Sequence, residues 1–345
     1  MPGIAVRRLL DAVLCAAMLS SSIAWASPPL YRIEALTKAQ GVRPESAQAI
    51  NRHGAVTGHG WMGSAGSDVV YVLRDGHLRA LEGPKANYAF GNAINAQGAV
   101  AGTVLAQAWT WAADGTPTAL DPLVPCEHLD SSATGINDAG EVVLSASCQV
   151  EGHFTTRSYR YSAGVMQDLG NLGDDYNEAK GINALGQVAG TSTTAPDGHA
   201  RAYLLDSGLM RDLGTLGGPT SIGAALNDLG HVVGTSTDAS GVSHAFLYDG
   251  STMQALPACE KSETWPTPTA LNRHDEIVGW HIYRRHAQGI LFRRGKCHEL
   301  LALLDASGAG WDRLAPLGIN DDGVIVGEGL LNGKVQAFVA TPVTR

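Results

Sequence analysis

The chain repeats one short pattern of apolar and polar positions seven times. In each copy an Ile or Leu precedes an Asn, a Gly usually follows three residues later, and a short apolar run comes next. The asparagines are 42 to 48 positions apart, at Asn51, Asn95, Asn137, Asn183, Asn227, Asn272 and Asn320. A period of about 45 residues that contains several short apolar stretches is typical of β-propeller blades with four strands each.

The fifth copy shows the predicted elements most clearly. Asn227 and Gly230 stand at the first and last positions of a tight turn, where an Asn side chain caps the backbone and Gly accepts a positive φ. Apolar stretches at 243–248 and 253–256 predict a third and a fourth strand. The third strands share an aromatic position that we expect to pack between neighbouring sheets: Tyr71, Trp109, Tyr159, Tyr203, Phe246 and Phe338, with Ile290 in the sixth copy.

The last copy lacks a fourth strand, because the chain ends at Arg345 soon after the third one. The segment 30–36, near the other end of the chain, resembles the missing strand. The pattern therefore predicts an all-β fold, a seven-bladed β-propeller of four-stranded antiparallel blades. Segment 30–36 would pair with 335–340, complete the last blade and close the ring without a free sheet edge.

Three segments resemble the HAF-repeat family of bacterial extracellular proteins. They are His244 to Leu247, Asp212 to Gly218 and Ile182 to Gly190, and the resemblance extends over residues 30–341. It implies an exported repeat protein without a settled biochemical activity, and it carries over no catalytic residues. Two copies depart from the pattern, with Ser145 where a Gly is expected and Asp275 at the turn glycine, so we expect these two hairpins to deviate.

Residues 1–26 have the features of an export signal. Arg7 and Arg8 precede an apolar stretch, and Ala24-Trp25-Ala26 forms a small-residue cleavage pattern. The mature chain, 27–345, is then one propeller domain in the periplasm or outside the cell. No later run approaches the roughly 20 apolar residues that span a bilayer, so we expect no membrane insertion after signal removal.

Composition argues against nucleic acid as a partner. The chain has 33 Asp and Glu against 24 Lys and Arg, a net charge of −9, which repels a polyanion. Only 17% of the residues are charged while 42 are Gly, as expected for closely packed strands and tight turns.

The candidate binding surface is the face that carries the longer loops. Turns after first and third strands are short, whereas loops after second and fourth strands are longer and vary, as binding loops do. The candidate ligand residues on that long-loop face are Trp61, Asp174, Asp175, Tyr176, Glu178, Trp265 and Trp311. Aromatic rings there suit a sugar or an extended peptide. Alternatively, each ring covers its own blade, and the acidic loop is either solvated or a calcium site.

No catalytic motif stands out, and we expect neither a cofactor nor a metal. The chain has no nucleophile elbow, no paired histidines with zinc-protease spacing and no phosphate-binding loop before a helix. The favoured function is an exported non-enzymatic binding or scaffold module for a cell-surface glycan or protein. One alternative is a glycosidase or lyase at the channel mouth, using Asp130, Asp174 or Asp175. The other is a structural ring that assembles with itself.

Four cysteines remain after signal removal, and an exported protein is expected to pair them. Cys126 and Cys148 fall on the long-loop face of neighbouring segments, which predicts a disulfide between them. Cys259 is on that face too, but Cys297 follows the turn at Gly295 on the opposite face, about 17 Å away. We therefore expect Cys259 and Cys297 to stay unpaired unless the strand assignment is out of phase.

Overall fold

The computed structural model describes residues 31–63, 66–121, 129–150, 153–260 and 262–343. The predicted signal segment 1–26 is outside these ranges. Within them the chain forms 28 β-strands, β1 to β28, and two short 3-10 helices at Leu300–Leu303 and Ala306–Gly308. The described part of the chain contains no α-helix, and no helix in it is long and apolar enough to cross a membrane.

Five sheets have four antiparallel strands each, as the repeat pattern predicts. Their strands are β2–β5 (Val42–Ile50, Val56–Met62, Ser67–Arg74, His77–Ala80), β6–β9 (Ala89–Ile94, Val100–Val104, Gln107–Trp111, Pro117–Leu120), β18–β21 (Gly217–Leu226, Val232–Asp238, Ser243–Tyr248, Met253–Ala255), β22–β25 (Thr267–Leu271, Ile277–Tyr283, His286–Arg293, Lys296–Glu299) and β26–β28 with β1 (Trp311–Ile319, Ile325–Leu331, Lys334–Pro342, Tyr31–Ala35).

The third and fourth repeats share one eight-stranded sheet. Its strands are β10–β13 (Leu129–Ile136, Val142–Val150, His153–Ser162, Val165–Asp168) and β14–β17 (Gly173–Ile182, Val188–Thr194, His199–Asp206, Leu209–Asp212). Each set of four is antiparallel, and a single parallel pairing between Thr156 of β12 and Tyr176 of β14 joins the two sets.

The prediction of seven separate four-stranded blades is therefore wrong. The protein is an all-β propeller with five four-stranded blades and one larger sheet. The strands of the third and fourth repeats merge because β12, ten residues long, reaches the first strand of the following repeat at Tyr176. The repeat pattern within one copy carries no information about this contact, which depends on how far one strand extends toward the next copy.

The predicted closure between the two ends of the chain is confirmed. β1 pairs antiparallel with β28, and Ile33 lies opposite Ala340. Tyr31 and Ile33 are buried in the same apolar cluster as Leu314 and Phe338. The first strand of the described chain thus completes the sheet formed by the last three strands.

The shared third-strand position is buried in six of the seven repeats, as predicted, whereas Trp109 in the second repeat is half-buried against the apolar cluster that contains Trp111. Tyr71, Tyr203, Phe246, Phe338 and Ile290 are fully buried. The core is accordingly divided into several apolar clusters, each shared between strands of neighbouring sheets.

The two hairpins expected to deviate form normally. In the sixth repeat Asp275 adopts φ +55° and donates its N–H to the Asn272 carbonyl at 3.1 Å, as Gly230 does to Asn227. In the third repeat the residue that replaces the strand glycine is Leu144, not Ser145. Leu144 pairs with Ala133 next to a register shift, just as Gly190 pairs with Ala179.

The seven repeat asparagines form a closed ring of hydrogen bonds. Each Nδ2 donates to the main-chain carbonyl of the asparagine in the next repeat, over 2.7 to 3.2 Å, and Asn320 donates to Asn51. Each Oδ1 accepts a backbone N–H from its own turn; Asn227, for example, accepts from Leu229 and His231 at 3.0 Å. The Asn that marks each copy in the sequence thus also connects neighbouring copies.

Candidate functional site

The face opposite the long loops, which carries the short turns and which we call the short-turn face, has a channel mouth whose polar groups mainly connect the repeats. A cavity of about 330 Å³ there is lined by the seven Ile/Leu-Asn pairs and the residues that follow them. The asparagine side chains are already engaged in the ring described above. Asp138, Asp228 and Asp321, beside them, accept backbone N–H groups from the preceding repeat. These polar groups hold the repeats together, which leaves few of them free for a ligand.

A polar pocket is present on the long-loop face, between the second, third and fourth repeats. Its volume is about 360 Å³. We call it the hydroxyl pocket, because six of the residues that line it carry a Ser or Thr hydroxyl. The lining residues are Tyr88, Thr103, Ala106, Asp130, Ser131, Ser132, Ser145, Ser147, Thr156, Tyr176 and Glu178.

Neighbouring strands position these hydroxyls by pairing with one another. Ser147 of β11 and Thr156 of β12 are opposite residues, and their side-chain oxygens are 3.0 Å apart. The hydroxyls of Thr103 and Ser132, from two different sheets, are 2.7 Å apart. Asn92 Nδ2 also donates to Thr103 Oγ1 at 3.2 Å and to Ser132 Oγ at 3.3 Å. A hydroxyl has one donor and two acceptor positions, so each of the four keeps at least one position for a hydrogen bond with a ligand.

Glu178 is held by two side chains of its own strand, β14. The Tyr176 hydroxyl donates to Glu178 Oε2 at 2.7 Å, and Lys180 Nζ is 2.5 Å from Oε1. Burial raises the pKa of Tyr176 well above its usual value, and the hydrogen bond to the Glu178 carboxylate raises it further. Tyr176 is therefore a neutral donor at physiological pH, in a fixed orientation.

The structure brings some of the predicted candidates together and separates others. Tyr176, Glu178 and Asp130 line the hydroxyl pocket. Asp174 and Asp175 belong to the same strand as Tyr176, but neither is a lining residue. The acidic group predicted as one cluster is therefore divided between the pocket and the start of β14.

The three candidate tryptophans do not converge on one site. Trp61 is 37% exposed, and its Nε1 donates to Glu45 Oε2 at 2.6 Å. Trp265 is half-buried against the ring of His244, with centroids 3.9 Å apart. Trp311 is only 9% exposed and packs edge-on against Phe338, so it belongs to the core of its own blade.

Sequence reasoning missed Tyr88 and most of the hydroxyl residues of the pocket. Ser145 and Ser147 alternate along β11, so they share one face of that strand. Ser131 and Ser132 are the third and fourth residues of β10 in the same repeat. This concentration of hydroxyls in one repeat was the available signal, but Ser and Thr are also common in turns and strands that bind nothing.

The prediction for the second cysteine pair is wrong, because Cys259 and Cys297 form a disulfide with Cα atoms 5.2 Å apart. The strand assignment itself holds, since the turn at Gly295 does separate β24 from β25. β21, however, ends at Ala255, and the next strand starts only at Thr267. Cys259 therefore belongs to a connection that is not a strand, and its position does not follow from the strand direction. That connection instead carries Cys259 into the apolar cluster around Phe292 and Cys297.

The first cysteine pair stays a prediction. Cys148 is buried and disulfide-bonded. Cys126, its predicted partner, is outside the described residues. Among the described residues, no group of three or more His, Cys, Asp or Glu side chains is arranged to hold a metal ion.

No family model matches the chain, and no curated protein does. Among solved structures it is similar to a puromycin-hydrolyzing peptidase from Mycobacterium tuberculosis, with a TM-score of 0.57 and 15% identity over 90% of this chain and 56% of that chain. TolB from Acinetobacter baumannii matches with a TM-score of 0.46 and 12% identity over 73% of this chain and 63% of that one. An Aleuria aurantia lectin in complex with alpha-methyl-L-fucoside matches with a TM-score of 0.39 and 10% identity over 78% of this chain and 95% of that one.

These similarities concern the fold. The chain spans little more than half the length of the peptidase, and 15% identity shows shared architecture rather than shared chemistry. The function must therefore be argued from the side chains of this protein. The chain is a β-propeller protein with a pocket on the long-loop face that is lined by hydroxyls, two tyrosines and two carboxylates.

Proposed function

We propose that the protein is an exported, non-catalytic glycan-binding module that holds a sugar unit in the hydroxyl pocket. The observation that supports this proposal is the composition of the pocket wall, which combines hydroxyls with Tyr88, Tyr176, Asp130 and Glu178. Sugars present hydroxyls around a ring with apolar C–H faces, so they need hydrogen-bonding partners and a flat apolar surface together. The pocket supplies both within about 360 Å³, within the usual range for small-ligand sites.

Tyr88 and Glu178 have distinct roles in this proposal. Tyr88 is exposed and packs against Phe90 with ring centroids 5.0 Å apart, which supports its ring as a stacking surface. Glu178 is already fixed by Tyr176 and Lys180, so it can accept ligand hydroxyls without losing side-chain entropy. An already ordered acceptor favours binding.

Glycan-array binding followed by titration calorimetry tests the proposal. We expect saturable binding of a neutral glycan and at least a tenfold loss of affinity in both Tyr88→Ala and Glu178→Gln. Tyr283→Ala and Glu34→Gln are matched controls, because they make the same changes outside the pocket and should bind like the wild type. Equal losses in the variants and the controls would rule out the pocket as the binding site.

The same samples separate binding from catalysis. A glycosidase requires two carboxylates at its site, and Asp130 and Glu178 are two carboxylates in one pocket. We expect no new reducing ends when the wild-type protein is incubated with the bound glycan. Product that appears with the wild type and disappears in Asp130→Asn or Glu178→Gln would replace the binding proposal with the enzymatic one.

Export and membership of the HAF-repeat family belong to the same proposal. The Cys259–Cys297 disulfide supports export, since such bonds persist in oxidising compartments. The amino terminus of the protein purified from its natural source should be Ser27; an intact Met1 would contradict signal removal. Family membership requires that the repeat asparagines and the His244 to Leu247 segment align with the same positions of other HAF-repeat proteins.

A further inference from the structure

A second and larger pocket lies between the first and second repeats, and its wall is mainly apolar. Its volume is about 710 Å³, and it shares no lining residue with the hydroxyl pocket. Val70, Leu81, Ala89, Val104 and Trp111 form most of the apolar wall. We call it the Asp68 pocket, after the buried carboxylate in it.

Hydrogen bonds fix the walls of the Asp68 pocket. Trp111 is buried, and its Nε1 donates to the Glu82 carbonyl at 2.7 Å. The Asp68 N–H donates to the Ala86 carbonyl at 2.9 Å, which ties the connection between β5 and β6 to β4. The cavity is therefore bounded by well-packed strands on one side and a tethered segment on the other.

The carboxylate of Asp68 is buried without a hydrogen bond to one of its oxygens. Asp68 is 9% exposed, and its Oδ1 has no donor among the residues that the structure describes. His59 Nε2 is 3.4 Å from this oxygen, which is ion-pair distance when the imidazole is protonated, but the two atoms form no hydrogen bond, and neither has another hydrogen-bond partner within the described chain. The His59 ring also stacks on Phe90, with centroids 4.8 Å apart.

A buried carboxylate oxygen without a donor is costly, so an apolar pocket with such a group favours one type of ligand. We infer that the Asp68 pocket binds a small organic amine, with its apolar body against Trp111 and Leu81 and its ammonium group on Asp68 Oδ1. The net charge of −9 also attracts cations to the protein. Glu82 and Lys85 line the pocket but are exposed, so solvent weakens their influence on the ligand.

The test compares two probes that differ only in the charged group. We expect 2-phenylethylamine to quench tryptophan fluorescence saturably with one site per chain, and 2-phenylethanol to bind at least tenfold more weakly. In Asp68→Asn the affinity for the amine should fall at least tenfold, so that the variant binds the amine and the alcohol with nearly equal affinity. Asp130→Asn removes a carboxylate from the other pocket on the same face and should leave amine binding unchanged.

The wild-type comparison does not depend on whether a variant folds. Equal affinities of the amine and the alcohol for the wild type would overturn the inference, and so would unchanged amine binding in Asp68→Asn. If Asp130→Asn lost as much affinity for the amine as Asp68→Asn, the effect would come from the overall charge of the protein, and the inference would also be overturned. Glycan binding in the hydroxyl pocket is independent of each of these outcomes.

Discussion

The side-chain amide of Asn320 donates a hydrogen bond to the main-chain carbonyl of Asn51, 3.2 Å away and 269 positions earlier in the chain. This bond completes the ring that starts with Asn51 donating to Asn95 at 2.7 Å. Because every member is buried, each amide must find partners within the protein. The repeat asparagine therefore has a structural role in assembly of the propeller.

Replacing a ring asparagine should cost far more stability than replacing an exposed one. Asn320→Ala removes the bond to Asn51 and the acceptor for the Asp322 and Val324 N–H groups, so we expect a loss of about 3 kcal/mol in the free energy of unfolding. Asn171→Ala, at an exposed position with one bond to the Gly173 N–H, should cost about 1 kcal/mol or less. Urea unfolding curves measure both, and similar losses would contradict the structural role of the ring.

The pairing of β1 with β28 should hold the ring closed. Ile33 is buried in the core that both chain ends share, so Ile33→Ala should lower the free energy of unfolding by about 2 to 4 kcal/mol. Glu34→Ala changes the exposed neighbour and should have little effect. Removal of residues 27–36 should lower the melting temperature sharply and accelerate amide exchange in β28; an unchanged melt would refute the closure.

The disulfide between Cys259 and Cys297 should stabilise the fifth and sixth repeats. The two residues are 38 positions apart, and closing a loop of that length contributes about 4 kcal/mol in the chain-entropy account. The double variant Cys259→Ser, Cys297→Ser should unfold at correspondingly lower denaturant concentration than the wild type. Cysteine variants are preferable to a reducing agent here, because Cys148 is also disulfide-bonded.

Peptide mapping under non-reducing conditions tests both cysteine pairs directly. We expect one linked fragment containing Cys259 and Cys297, and a second containing Cys126 and Cys148. A second fragment that joins Cys148 to any other cysteine would disprove the predicted pair.

Stability at high pH should depend on Tyr31. Burial, assisted by the Glu276 charge, raises the pKa of Tyr31 to about 12, with Arg293 acting in the opposite direction. Since the folded pKa exceeds the unfolded value of 10, the stabilisation is complete below pH 10 and is lost as the pH rises toward 12. Between pH 10 and pH 12 the free energy of unfolding should therefore fall by about 3 kcal/mol less in Tyr31→Phe than in the wild type. Parallel pH profiles of the two proteins would contradict this assignment.

Sequence reasoning was accurate where one repeat contains all the information. The Asn227 to Gly230 turn follows from contacts between residues close together in the chain, and the third-strand aromatics follow from a pattern of apolar positions that recurs once per copy. The pairing of β1 with β28 was also predictable, because the last repeat visibly lacked one strand and segment 30–36 resembled it.

Contacts between repeats were beyond the sequence pattern. The pairing of Thr156 with Tyr176 depends on the reach of β12, and the Cys259–Cys297 bond depends on the path of a connection that is not a strand. The hydroxyl pocket likewise combines residues from three repeats, and Trp311, predicted on the ligand face, packs against Phe338 instead. The sequence by itself determined the β-propeller class, the turns and the closing strand, because the turn residues and the buried apolar positions recur at a fixed spacing in every copy. Only the tertiary structure decided the sheet count, the disulfide and the pockets, because these depend on the distances between separate repeats once they have packed.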